Sequence, residues 1–533
     1  MGAVGFESTV AIAQDAPGNE EQPSGWTTRR GNPARTGAVE EDGPTPYPTT
    51  DWTMDPDGSL YDLEPIVADG TVYLPVTTDN SPSGNDGYVG AYDAETGTEL
   101  WTQSELSAPR SPTVSSDMVY VATKVPGASE SSETGLYALD RENGDIVWDR
   151  TNSPEWAPPV LVDGLLYTAN RTGAVAVDPS TGETEWRTED VGGIANGFDG
   201  QVSAVNGTVF LADGTALDAE DGSVQWQASS DRPLLGSHAA DEERVYYLRS
   251  EYIRGDDDRV VLEARSIETG RIDWTYRSDD DEWDGRKAVT DNYVLIVEAT
   301  EGTWAVKALD KGTGTVEWTS ELPGEFIDDP SVGNGIVYVG GRYFPTDSDY
   351  GRAFVSALDA TTGDHLWDYL LDSSDLETSP ENPPSAETPI VADGNLYVDT
   401  YPAGSTFDYE YQYYSNFFAL GPCDKRPDEE DTPNDDGKPD DCEEYERPEA
   451  CIDVTSNRNV SEFDAGETVW LNGFCSTGSD LTYEWDSTED GQSDENGTSF
   501  PVTIPECGTV TVSLTVTDSK GNSDTTDMAV SAT

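Results

Sequence analysis

Eight tryptophans, Trp52, Trp101, Trp148, Trp186, Trp226, Trp274, Trp318 and Trp367, recur at intervals of 49, 47, 38, 40, 48, 44 and 49 residues. An internal period of about 45 residues is the spacing of a four-stranded propeller blade, which cannot bury its faces alone and must stack on neighbours. From Trp101 onward each tryptophan closes the same unit, as in PVLVDGLLYTA then AVAVDPSTGETEW. The first two runs of a unit are joined by Asp69-Gly70, Asp163-Gly164, Asn206-Gly207, Asn334-Gly335 or Asp393-Gly394, dipeptides that tolerate positive φ and close two-residue hairpins. The last two are joined by an Asp-x-x-(Thr)-Gly turn, as in Asp93 to Gly97 and Asp359 to Gly363.

Seven complete units end at Trp101 through Trp367, and an eighth, TPIVADGNLYVDTY with NFFALG, stops at Gly421 without its tryptophan strand. The segment DWTMD around Trp52 has no unit before it. These two facts predict an all-β chain whose eight-bladed β-propeller of four-stranded blades takes the outer strand of its last blade from the N-terminal end. One Trp per blade at a fixed outer-strand position reads as docking between neighbouring blades.

These repeats, with the lead-in WTTRRGNPARTG from Trp26 to Gly37, resemble the eight-bladed propellers of PQQ-like repeat proteins. That family includes quinoprotein dehydrogenases and the outer-membrane assembly lipoprotein of bacteria. The resemblance spans residues 26–422 and implies a fold, whereas the family's functions range from enzymes to interaction scaffolds. Quinoproteins of this fold hold PQQ in the central channel against a tryptophan, beside calcium and a catalytic aspartate, and many add a disulfide between adjacent cysteines. Residues 1–422 contain no cysteine, and the two histidines, His238 and His365, do not suffice for a triad or metal centre. The reading is therefore of a non-enzyme, with a PQQ-dependent dehydrogenase as the alternative and no cofactor assigned. A channel mouth lined by Trp, Arg and converging Asp, Glu or Asn favours the quinoprotein; a channel filled by small or apolar side chains favours the scaffold.

With 105 acidic against 29 basic residues the formal charge is −76. Such a surface repels itself in dilute buffer, but at molar salt the Debye length falls to ~3 Å and the repulsion is screened. The composition resembles that of proteins from extreme halophiles, haloarchaea in particular, and disfavours nucleic acid or anionic membranes as partners. MGAVGFESTVAIAQDAP carries the A-x-A-like site Ala11-Ile12-Ala13 and resembles the second half of a twin-arginine signal peptide, so residues 1–25 read as a signal remnant and leader of an exported chain. No stretch is apolar enough to span a membrane, and a monomer is expected.

All five cysteines, Cys423, Cys442, Cys451, Cys475 and Cys507, follow the propeller, which suits stapling in an oxidising compartment. Residues 423–449 form an acidic linker. Residues 450–533 change to Val/Thr alternation, and AGETVWLNGFCSTGSDLTYEWD with GTVTVSLTVTDSKGNSD resembles a PKD domain, an immunoglobulin-like β-sandwich of secreted and surface proteins. Cys475 with Cys507 is the favoured pair and Cys423 with Cys442 a second. Asp486, Thr488, Asp490 and Asp494 are spaced to place oxygens round a hard cation, with Gly491 permitting the turn, as calcium loops do. The linker's Asn434, Asp436, Asp440 and Glu443 resemble a thrombospondin type 3 repeat. Calcium is thus the candidate ion at both.

The loops joining second to third strands, and blade to blade, are long, whereas the other turns are tight. Elaborated loops on a rigid scaffold carry recognition, and one such face gathers Tyr343, Phe344 and Tyr350 with Tyr401, Phe407, Tyr409, Tyr411, Tyr413 and Tyr414. The expected function is recognition of a protein or glycan at the cell surface through that face.

Overall fold

The computed structural model describes residues 23–423 and 450–531 except for stretches at loops, the longest being 79–85, 124–134, 193–200, 252–258, 344–351, 373–383, 403–414, 455–467 and 488–494. The described residues are strands and turns without a helix, in two compact units of which the first ends at Gly421. Within the first unit they form eight sheets, numbered here in chain order from the sheet that contains Ile66–Ala68. The innermost strands follow one another around a common axis, with Ile390–Ala392 of sheet 8 beside Ile66–Ala68 of sheet 1.

Turn chemistry shapes each sheet. Asp69, Asp163, Asn206, Asn334 and Asp393 have φ between 37° and 52°, and the glycine after each is also positive, so the inner hairpins are of the type that the dipeptides dictate. At the third turn Asp93 Oδ1 accepts from the Thr96 amide at 2.9 Å and from its hydroxyl at 2.7 Å, bonds that hold the carboxyl below its usual range. Gly97, at φ 66°, then donates to the Asp93 carbonyl at 2.8 Å. Asp178, Asp310 and Asp359 repeat the arrangement.

The outer strand of sheet 8 is Tyr47–Met54, paired with Asn416–Cys423. The N-terminal strand therefore completes the C-terminal sheet, as the orphan Trp52 requires. In sheets 1 to 7 the pairing shifts by one residue just before the tryptophan, as between Ala91↔Trp101 and Tyr92↔Glu99. That bulge bends the solvent edge and makes it a poor template for another strand.

The tryptophans bind sheet to sheet. Six indole N–H groups donate to a carbonyl in the next sheet's turn: Trp52 to Ala94 (3.0 Å), Trp101 to Arg141 (2.9 Å), Trp148 to Pro179 (2.9 Å), Trp186 to Ala219 (2.9 Å), Trp226 to Ile267 (2.7 Å) and Trp274 to Lys311 (2.9 Å). Trp318 also lies on the next sheet's glycine, Gly363, but its buried Nε1 has no hydrogen-bond partner among the described residues. Trp367 packs on Tyr338 of its own sheet, with ring centres 5.9 Å apart.

In the C-terminal unit a three-stranded and a four-stranded sheet enclose Trp485, Leu471, Val512, Leu514 and Val516. Trp485 stacks on Phe500 with centroids 5.7 Å apart and donates to the Gly497 carbonyl at 2.7 Å. The disulfide here joins Cys475 to Cys451, not to Cys507. The short strand Asp453–Val454 pairs antiparallel with Thr468–Asn472. That register carries Cys451 past one end of the ladder and returns Cys475 beside it, with their Cα atoms 5.3 Å apart. Cys423 is also disulfide-bonded; Cys442 and Cys507 lie outside the described residues.

Candidate functional site

The axis of the propeller is occupied by the chain itself. Residues 24–39 run as a strap across the inner edges of the sheets, which otherwise present unpaired backbone groups. Gly25–Trp26 pairs antiparallel with Val67 and Ala68 in sheet 1, and Ala38–Val39 pairs parallel with Val332 and Gly333 in sheet 7. Between them the strap carbonyls of Thr27, Pro33, Ala34, Thr36 and Gly37 accept from Val114, Ala204, Ala240, Val289 and Val332, at 2.7–2.9 Å. Those five donors belong to five different sheets.

Six positions of WTTRRGNPARTG, namely Trp26, Arg30, Asn32, Arg35, Thr36 and Gly37, have contacts that explain them. The Trp26 indole donates to Glu64 Oε2 at 3.3 Å, and the same oxygen accepts the Arg30 amide at 2.6 Å. Arg30 reaches the carbonyls of Lys287 (2.8 Å) and Pro330 (2.6 Å). Arg35 reaches those of Val202 (3.0 Å), Pro158 (3.1 Å) and Pro159 (3.0 Å), besides the Thr28 hydroxyl at 2.8 Å. Burial, with Arg29 close by, pulls Arg35 down to about 9. Both arginines sit at positive φ, 58° and 60°, a backbone cost kept because their side chains are fixed by the ring. Asn32 closes the turn by donating to Thr36 Oγ1 (2.6 Å) and the Ala38 carbonyl (2.9 Å). Gly37, at φ 69°, lies so close to Arg30 that a Cβ would fall 2.1 Å from Nη2.

Around the strap runs a polar collar that stitches neighbouring inner strands. Glu64 N donates to Ser111 Oγ (2.8 Å), His238 N to Gln201 Oε1 (2.9 Å), Lys287 N to Asp329 Oδ1 (3.0 Å) and Thr388 N to Asp328 Oδ2 (3.1 Å). On the tight-turn side the strap floors a bowl of ≈ 1470 Å³, with Asp163, Asp241, Glu243 and Asp291 on its rim.

Neither of the two channels expected from sequence is found. Arginine and carboxylates are present, but Arg30 and Arg35 donate to ring carbonyls, and Trp26 is buried against Glu64. Among the described residues no group of three or more His, Cys, Asp or Glu is disposed to hold a metal ion. A planar tricarboxylate such as PQQ stacks on a bare indole face, and the fully buried Trp26 offers none, so the strap residues do not fit it. His238 is buried beside Tyr247, and His365 lies on an outer strand 2.8 Å from Asp368 Oδ1; the two do not converge.

Of the aromatic loop cluster, Tyr343 and Tyr401 are described and half-buried; Phe344, Tyr350, Phe407, Tyr409, Tyr411, Tyr413 and Tyr414 lie outside the described residues. Tyr401 meets Tyr61, which sequence reasoning missed, edge to face at 5.0 Å, and Tyr61 is 49% exposed. Nearby Arg342 pairs with Glu325 at 3.2 Å. Of the calcium candidates only Asp486 is described, at the end of the strand Thr482–Asp486; Thr488, Asp490, Asp494, Asn434, Asp436, Asp440 and Glu443 are not.

The sheets have a carboxylate without counterpart in the other blades. Two residues beyond the packed aromatic of the second strand, sheets 1, 2, 3, 4, 5 and 7 carry Pro75, Ala122, Ala169, Ala212, Leu248 and Gly340, whereas sheet 8 carries Asp399. It is fully buried, and neither carboxylate oxygen has a hydrogen-bond partner among the described residues. Burial, with Asp328 and Glu64 adding repulsion, holds its carboxyl well above the usual range.

Comparison with known proteins agrees with this architecture. The model of the family described as outer membrane protein assembly factor BamB matches residues 85–211, 171–301 and 278–405, and that of the PKD domain matches residues 453–530. A curated relative, serine/threonine-protein kinase AfsK of Streptomyces griseus, is 31% identical over 199 residues, 35% of this chain and 22% of that protein; the chain thus spans under a quarter of that relative. Similar solved structures include BamB from Moraxella catarrhalis, with 17% identity, TM-score 0.46 and coverage of 70% of this chain and 97% of that one. Another is quinohemoprotein alcohol dehydrogenase from Comamonas testosteroni, with 13% identity, TM-score 0.49 and coverage of 77% and 82%. With its family model matching more than half of its length, the chain belongs to the family of the outer membrane protein assembly factor BamB.

Proposed function

We propose that this chain is a non-enzymatic binding or scaffold protein, exported to the cell surface of an extreme halophile, that recognises a protein or glycan through the long-loop face of its propeller. The observation that carries the reading is the filled axis: the place where a propeller enzyme of this type holds its cofactor is taken by residues 24–39. What remains for recognition is the loop face, where Tyr61 and Tyr401 present an aromatic pair beside Arg342 and Glu325. Rigid aromatic side chains with a charged neighbour are the usual anchors of such surfaces. The PKD module and the Cys451–Cys475 disulfide support an extracellular setting. No helix among the described residues is long and apolar enough to cross a membrane. Export by the twin-arginine route, the monomeric state and calcium in the acidic loops belong to the same proposal.

The test is titration of the full chain with PQQ and calcium in molar salt, followed by absorbance and by dye-linked alcohol oxidation. No binding and no turnover are expected; stoichiometric binding with turnover would replace this reading with a PQQ-dependent dehydrogenase.

A further inference from the structure

We propose that the axial channel is a binding site for a turn-forming, arginine-bearing peptide, and that residues 24–39 are its tethered ligand. This stands apart from the loop-face reading, since the strap's described hydrogen bonds go to the inner strands, the collar, the hairpin at Asp69 and the connections at Pro158, Pro159 and Pro330, and not to Tyr61, Tyr401, Arg342 or Glu325.

Three observations carry it. The ring recognises the strap mainly through backbone, as peptide-binding proteins do: five inner-strand N–H groups on sheets 2, 4, 5, 6 and 7 donate to strap carbonyls, and strand pairing at both strap ends adds sheet 1. Specificity comes from two side chains whose guanidinium groups end on ring carbonyls, Arg30 on Lys287 and Pro330, and Arg35 on Pro158, Pro159 and Val202. The strap is also folded on itself. Gly31 donates to the Thr28 carbonyl, Arg35 to that of Asn32 and Gly37 to that of Arg30, each at 2.9 Å, so a free peptide of this sequence has less order to gain on binding.

The tether decides occupancy. A segment linked to its site by a few residues acts at an effective concentration of roughly millimolar, so a peptide added in trans does not displace it from the intact chain. Cutting the link removes that advantage and exposes the site as a receptor.

A protease recognition sequence inserted between Glu40 and Glu41, where Glu40 is exposed, tests this in the full chain. After cleavage the N-terminal fragment should remain with the propeller on gel filtration in molar salt. It should then exchange with a labelled synthetic peptide of residues 22–40. An unlabelled Arg35→Ala peptide should compete at least ~10-fold more weakly than the native one, as loss of charge-assisted bonds implies. The uncut chain should take up no label. Loss of the fragment without uptake of the peptide, or retention with no exchange even after a cycle of partial denaturation, makes the strap an inseparable part of the fold and overturns the proposal. Uptake by the uncut chain also overturns it, because the peptide then binds elsewhere.

Discussion

The indole of Trp274 lies flat against the backbone of Gly314 in the next sheet, so near that a Cβ on that glycine would sit 2.4 Å from Cε3 of the ring. The same pairing joins Trp52 to Gly97, Trp101 to Gly144, Trp148 to Gly182, Trp186 to Gly222, Trp226 to Gly270 and Trp318 to Gly363. Each glycine is needed twice, for its positive φ and for the space above it. Gly314→Ala should therefore destabilise the propeller by roughly 2–4 kcal/mol, the sum of a left-handed backbone and a forced shift of the ring. Gly70→Ala, at φ 71° with nothing within 4 Å of the added carbon, should cost only about 1 kcal/mol. Urea unfolding in molar salt checks both, and equal losses would mean that the indole contact does not matter.

Replacing tryptophan by phenylalanine separates the indole hydrogen bond from the ring's bulk. Trp101→Phe leaves the Arg141 carbonyl without its donor and should cost about 1–3 kcal/mol. Trp318→Phe loses no such bond and should cost less, as read from the difference in denaturation midpoints.

Arg35 is fixed by carbonyls of two sheets and by the strap's own Thr28. Arg35→Ala should lower stability by roughly 3–5 kcal/mol, because several buried acceptors lose their donor at once. Arg35→Lys should recover little of this, since an ammonium cannot span acceptors placed for a planar fork. Thermal unfolding of the full chain distinguishes the two variants.

Asp399 sets a pH dependence. Its carboxyl is raised in the folded protein, so its neutral form is the one the fold tolerates. The associated stability is full below the unfolded pKa of about 3.9 and is lost as pH rises through the folded value. Asp399→Asn removes that loss. The variant should match wild type near pH 4 and unfold at a higher urea concentration than wild type at pH 8; an unchanged difference across that range would show that Asp399 does not titrate in the fold.

Much of this architecture was legible because a propeller repeats its instructions. The Asp-Gly hairpins, the Asp-x-x-Thr-Gly turns and the tryptophans each recur, so an error in one unit is corrected by the next. The strap was not legible as a plug. Its meaning lies in contacts between Arg35 and residues such as Pro158 and Val202, more than a hundred positions away, and it has no periodicity of its own. The cysteine pairing failed for a related reason: Asp453–Val454 is only two residues long and carries no strand signal, yet it decides which cysteine faces Cys475. Asp399 was passed over because VDTYP reads as the frayed end of a strand, and only burial makes its carboxylate unusual.

The strand Tyr47–Met54 completes a sheet whose other strands lie between Pro384 and Cys423. This strand therefore has no partner until the last part of the propeller has been made. Such long-range pairing folds slowly. While the chain is being synthesised, the strand Tyr47–Met54 waits as an unpaired β edge, and the period of greatest exposure to misassembly lasts as long as translation from Met54 to Cys423.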